Sequence, residues 1–182
     1  MYNIAMTMTI DLRYPIGPFA PAASTAPDVR LAAIDDIAAL PRKMREAVAG
    51  LSDSQLDTPY RPGGWTVRQL VHHVADSHMN GFIRLKLALT EDAPMIKPYD
   101  EKTWADLADT ALPIDISLVI LDKLHVRWDA VYRAMTPAQF ERTFFHPEMQ
   151  ELLSLDTHAQ LYGWHSKHHV AHITGLRQRE GW

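Results

Sequence analysis

The sequence predicts an all-α protein built as a four-helix bundle, and three observations carry that expectation. Four long segments repeat apolar residues at steps of three and four, the mark of one buried helical face. Capping-box spacing stands at the head of helical stretches, at Ser52 with Gln55 and at Thr66 with Gln69. The connections between the long segments are unequal in length and punctuated by proline and aspartate, as in bundles with long crossovers.

Residues 1–27 carry Pro15, Pro18, Pro21 and Pro27 with no helical period, so they read as an extended arm laid over a single bundle domain of residues 28–182. The first bundle helix follows from Leu31, Ile34, Ile37, Leu40, Met44, Val48 and Leu51; Pro41 falls inside this pattern and is expected to kink or split it. Ser52 and Gln55 then open a short helical turn before the loop TPYRPGG. The second helix starts at the Thr66 box, with Trp65 placed to staple against Leu70, and only Gly81 interrupts it before about Glu91. That is a helix of about 25 residues, or about 38 Å. After the connection EDAPMIKPYDEKTWADLADTALP, a third helix begins near Asp115 with Ile116, Ile120, Leu124, Val131 and Met135 turned inward. The string TPAQ, with Pro137 at a first helical position, starts a further turn. Residues 143–155 read as a short hairpin or loop, and the last helix runs from about Asp156 to Arg179, ending before Gly181.

Composition excludes several classes of function. With 182 residues, 47% hydrophobic and 22% charged, the chain can bury a real core and is not disordered. No apolar run approaches the roughly 20 residues that cross a bilayer. The N-terminal MYNIAMTMTIDLRYPIG lacks the basic region of a signal peptide, which makes the cytoplasm the expected location. The absence of cysteine removes disulfides, thiolate ligands and a cysteine nucleophile together. A net charge of −4 gives no electrostatic footprint for nucleic acid or an anionic membrane.

Histidine is the unusual residue. Seven of the ten lie in two windows, 72–78 and 165–172. Imidazoles four apart on a helix share a face, so His165 with His169, or His168 with His172, could converge on one ion. The stripe Tyr162, His165, His169, Ile173, Leu176 is the more apolar of the two and favours the first pair; Leu161, His168, His172, Gly175 compete with it. On the second helix, the stripe Thr66, Leu70, His73, Ser77, Arg84 turns His73 inward, while His72 sits with Arg68, Gln69 and Asp76.

Three histidines without a fourth protein ligand leave one coordination position open, as in catalytic zinc sites. Imidazole also suits nickel, iron and copper. His72, His78, His168 and His172 admit a reading as exposed residues without a role, and the isolated His125, His146 and His158 read as ordinary residues. Ser166 stands where zinc-protease helices carry a glutamate base, which leaves His78, Asp76 and His168 as the candidate bases. Alternatively no base is needed, because a metal-bound thiol is deprotonated by the ion itself. Trp104, Tyr99 and Arg84 are candidates for a substrate mouth, with plain packing as the competing explanation.

The strings DSQLDTPYRPGGWTVRQLVHHVADSHMN, KPYDEKTW and YGWHSKHHVAHI resemble the YfiT-type branch of the DinB-like superfamily, and the resemblance runs from RYPIGPF to the closing GW. It implies a four-helix bundle whose metal is held by one histidine of the second helix and two of the last. The second-helix ligand of that family lies eight residues after the tryptophan of a W-[ST]-V motif, which makes it His73 after Trp65. The last-helix pair follows a tryptophan directly and four residues on, giving His165 and His169. The implied activity is that of a metal-dependent hydrolase acting on a small molecule, with one divalent ion (zinc first, nickel second) activating water, in a homodimer. Related DinB-like proteins are thiol S-transferases that join bacillithiol, mycothiol or glutathione to an electrophile, which is the alternative. A metal-binding bundle without catalysis is the third reading.

Overall fold

Capping chemistry sets where the helices of the computed structural model begin. It describes residues 11–22 and 26–182. In chain order the elements are α1 (Pro27–Val48), α2 (Asp53–Leu56), α3 (Val67–Thr90), α4 (Glu101–Ala105), a 3-10 turn (Ala108–Ala111), α5 (Asp115–Ala134), α6 (Pro137–Phe140), β1 (Thr143–His146), β2 (Glu151–Ser154) and α7 (Leu155–Glu180). Complete capping boxes close on Ser52 with Gln55, Thr66 with Gln69 and Thr136 with Gln139. Each satisfies two donors that a helix start otherwise leaves bare. At the other end, Gly181 takes the left-handed conformation (φ 73°) that stops α7. The hairpin expected before the last helix is present, pairing Thr143 with Ser154 through to His146 with Glu151.

The long helices α1, α3, α5 and α7 form the bundle. α1 packs mainly against α7 and α5, and α3 against the same two, so α1 and α3 lie on one diagonal. Their interior is two apolar cores. One gathers Leu40 and Met44 with Leu70, Val74, Leu121 and Ile173; the other gathers Ile34 and Ile37 with Phe82, Leu85, Trp128 and Tyr162. The order in which each helix passes the two cores makes α1 parallel to α7 and α3 parallel to α5, with the pairs opposed. Between the cores lies a belt of buried histidines, and it positions the site.

Two expectations are corrected. Pro41 neither kinks nor splits its helix, since α1 runs unbroken with Pro41 buried inside it. Proline has no N–H, which deprives the carbonyl four residues earlier, that of Ile37, of its helical partner. Nδ1 of His125 donates to that oxygen at 2.7 Å and replaces the lost bond. On α5 the buried face is Ser117, Leu118, Leu121, His125, Trp128 and Tyr132, while Ile116 is exposed and Ile120, Leu124, Val131 and Met135 only flank the cores. The expected stripe followed aliphatic residues; Trp128 and Tyr132 carry more apolar area and take the interior.

Of the expected arm, residues 1–10 and 23–25 lie outside the described residues. Residues 11–22 run along α7, where Trp164 donates to the Gly17 carbonyl at 3.1 Å and Ala22 N–H to Gln160 Oε1 at 2.8 Å. No described helix is long and apolar enough to cross a membrane.

Candidate metal centre

His165 and His169 sit one turn apart on α7, and the turn brings their Nε2 atoms to 3.0 Å. His73 reaches them from α3, its ring centre 5.7 Å from that of His165 and 5.1 Å from that of His169. One ring nitrogen from each of the three falls within 4.8 Å of the others. Bonds of about 2.0–2.1 Å place ligand atoms about 3.3 Å apart along a tetrahedral edge, so small ring rotations fit this donor set to an ion. The capping box at Thr66 fixes the start of α3, and Trp65 just before it lies against His73 with ring centres 4.5 Å apart.

A second group, His168, His169 and His172, also meets the distance condition among the described residues. It is the weaker arrangement. All three come from one helix, it shares His169 with the first group, and Nε2 of His172 is held by the Arg13 carbonyl at 3.3 Å.

Electrostatics keep these imidazoles free for a metal. Burial pushes the pKa of His73 down to about 4. Burial first, and the neighbouring imidazoles second, push His165 and His169 well below the ordinary value. All three are therefore neutral at pH 7, the form that ligates. Nδ1 of His169 is buried without a hydrogen-bond partner.

The three rings line a cavity of about 540 Å³ together with Tyr60, Arg61, Trp65, Glu101, Lys102 and Asp106. Arg13 of the N-terminal segment and His168 and His172 of α7 close another side. Asp100 caps α4 by accepting from Lys102 N–H and Thr103 N–H at 3.1 and 3.0 Å, which turns Glu101 and Lys102 to the rim. Burial raises the Glu101 carboxyl above the ordinary range.

Several sequence candidates stand elsewhere. Trp104 and Tyr99 pack on each other with ring centres 4.4 Å apart, and neither they nor Arg84 line the cavity. Asp76 lies away from it too, half-buried, its pKa raised to about 6 by burial and then by Asp109. His72, His78, His168 and His172 are buried, not exposed. His72 bridges Ser117 Oγ at 2.7 Å and the Leu112 carbonyl at 3.0 Å, a purely structural anchor. His125 and His158, read as ordinary, are buried and hydrogen-bonded inside the bundle. Glu101, Lys102 and Asp106 were visible only as part of the string KPYDEKTW and its continuation. Arg13 and Arg61, far apart in sequence, were likewise visible only inside the strings RYPIGPF and DSQLDTPYRPGGWTVRQLVHHVADSHMN.

Fold and site together define a four-helix bundle with clustered imidazoles opening on a cavity, the architecture in which bundles hold metals. The chain belongs to the DinB superfamily, whose family model matches residues 36–173, and within it to the YfiT type. It is 51% identical over 176 residues to YfiT of Bacillus subtilis, named provisionally as a metal-dependent hydrolase, covering 96% of this chain and 98% of that one. A similarly named protein of Bacillus mycoides is 52% identical over 172 residues, covering 94% and 99%. One from Oceanobacillus iheyensis is 51% identical over 170 residues, covering 93% and 98%. The solved structure of the Bacillus subtilis protein, described as having an unusual four-helix bundle topology, matches with a TM-score of 0.91 at 50% identity, covering 94% of this chain and 98% of that one.

Proposed function

We propose that this protein is a metal-dependent hydrolase in which His73, His165 and His169 hold one divalent ion, zinc or nickel. The observation that carries the reading is the convergence of three neutral imidazoles from two helices, His73 and His169 buried and His165 half-buried, around one point of an open cavity. The provisional names of the relatives agree with it. An ion held by these residues would supply Lewis acidity and would lower the pKa of a bound water towards about 7. Ser166 cannot serve as the missing base, because its hydroxyl donates back to the Tyr162 carbonyl at 2.7 Å. We assign proton acceptance to the Glu101 carboxylate at the rim, which lines the same cavity as the three imidazoles.

Metal analysis of untagged wild type and His169→Ala tests the centre. About one equivalent in the wild type and almost none in the variant is expected, and the wild-type content also names the metal. Equal metal in both, or none in either, would overturn the reading. A screen of small esters and amides then tests hydrolysis, with activity lost in Glu101→Gln while metal is retained.

One observation favours a second reading, a thiol S-transferase. Arg13, Arg61 and Lys102 all line the cavity and suit the carboxylates of a low-molecular-weight thiol such as bacillithiol, mycothiol or glutathione. Metal-dependent loss of thiol with an electrophile, and no ester or amide cleavage, would select it.

A further inference from the structure

One residue from each bundle helix forms a link in a chain of hydrogen bonds that ends on His165. The chain begins on α1 at the Ile37 carbonyl, which Pro41 leaves without a helical donor. His125 of α5 reaches that oxygen through Nδ1 at 2.7 Å. A carbonyl only accepts, so this nitrogen carries the proton. Burial lowers the pKa of His125 to about 4, and a neutral ring then bares a lone pair on Nε2. Nδ1 of His78, on α3, lies 3.1 Å from that lone pair and donates to it. With its proton on Nδ1, the fully buried His78 ring leaves the lone pair of its Nε2 to accept. The donor is Nδ1 of His165, on α7, at 3.1 Å. His165 is left with its proton on Nδ1 and a bare Nε2, the atom 3.0 Å from Nε2 of His169.

We propose that His78 and His125 are positioning residues which, anchored on the Ile37 carbonyl, fix the tautomer of His165 and aim its Nε2 at the ion; this rests on the metal reading above. Ligand imidazoles are commonly oriented by a partner on their second nitrogen, usually a carboxylate or carbonyl. Here the carbonyl acts at a distance, through two further imidazoles. The rings have no room to turn. His78 meets Tyr162 edge-on at 5.0 Å and Trp128 at 5.4 Å, and its own exposure is 0%.

Nitrogen-15 NMR of histidine-labelled, metal-free wild type reads which ring nitrogen is protonated. Protons on Nδ1 of His165, His78 and His125 are expected; a proton on Nε2 of His165 overturns the relay. Zinc affinity, measured by chelator competition on the full chain, then compares wild type with His78→Leu and His78→Gln. The leucine removes the acceptor and should weaken zinc binding by roughly 10- to 100-fold. Glutamine offers an oxygen near the place of Nε2 and should recover most of that loss. A packing role alone would lower the melting temperature of both variants yet leave zinc affinity unchanged, which overturns the proposal. If His78→Leu does not fold, the wild-type tautomers decide the matter. A wild type that binds no zinc overturns the metal reading and this one with it, whereas zinc binding with the wrong His165 tautomer overturns the relay alone.

Discussion

Replacing Gly81 with alanine sets a local gain against a larger loss. Within a helix, glycine to alanine is worth about 1 kcal/mol in favour of folding. Gly81 lies in the middle of α3, so on propensity alone Gly81→Ala stabilises. A Cβ there would stand 2.3 Å from Cζ and 2.6 Å from Oη of Tyr162, well inside contact distance. The tyrosine has nowhere to go: His158 is 4.7 Å from its ring centre, and His78 and Trp128 are each 5.0 Å away. Overpacking of this kind costs about 1–3 kcal/mol. Displacing the ring also strips the hydrogen bond from its hydroxyl to the Ser77 carbonyl at 3.1 Å, worth about 1 kcal/mol. The loss outweighs the gain, and a net destabilisation of about 1–3 kcal/mol follows. Urea unfolding of metal-free protein measures it. Stability equal to or above wild type would show that the tyrosine yields freely, and that the packing around the histidine belt is looser than described.

Acid should destabilise the metal-free protein before it titrates ordinary carboxylates. His73, His125, His168 and His172 are held at about 4 and His158 at about 3, against about 6.5 in the unfolded chain. Between those limits the unfolded state binds more protons, so stability is full above about pH 6.5 and falls as the pH drops towards 4. Asp76, raised to about 6, works in the opposite sense, but it is one proton against five. A urea midpoint that stays flat from pH 7 to pH 5 would refute this. Metal affinity of the folded protein should hold down to about pH 5 and fall only as the pH nears the His73 value of about 4, read by chelator competition. His168→Ala should keep its metal where His165→Ala loses it; the reverse result would transfer the site to the other group on α7. His72→Ala should cost about 1–3 kcal/mol through its two buried hydrogen bonds yet leave metal content unchanged, which separates it from its neighbour His73.

The bundle was legible because its signals are local. Capping boxes at Ser52, Thr66 and Thr136 act within four residues, and steps of three and four mark a helical face wherever it points. The juxtaposition of His165 with His169 is equally local, one turn of one helix. That His73 meets them required the inward stripe of a second helix, and the family resemblance gave it weight. What the sequence withheld was non-local. Nothing near Pro41 in the chain reveals that an imidazole 84 positions later will take up the carbonyl it frees. The face of α5 was misjudged because its stripe was drawn through aliphatic residues and His125 read as an ordinary isolated residue, when it is the residue that makes a proline tolerable inside α1. The cavity wall combines Arg13, Arg61 and Glu101 from three separate connections, and no periodicity links them.

The histidine belt is costly to the metal-free fold, and that cost bears on how the site works. An imidazole with its ordinary pKa of about 6.5 is about one-quarter protonated at pH 7, and a metal must displace that proton. With its pKa near 4, His73 is almost wholly deprotonated, so an ion meets negligible competition from protons. The same burial leaves Nδ1 of His168, His169 and His172 without hydrogen-bond partners, each a penalty of about 1–3 kcal/mol unless water supplies one. Flanking this layer with two well-packed apolar cores lets the bundle carry the strain locally. A ligand that binds only the folded state returns stability in proportion to its concentration over its dissociation constant. Metal should therefore raise the melting temperature of the wild type strongly and that of His169→Ala hardly at all. If both rise alike, the ion is binding elsewhere, and the belt is a polar layer of the core with no metal to serve.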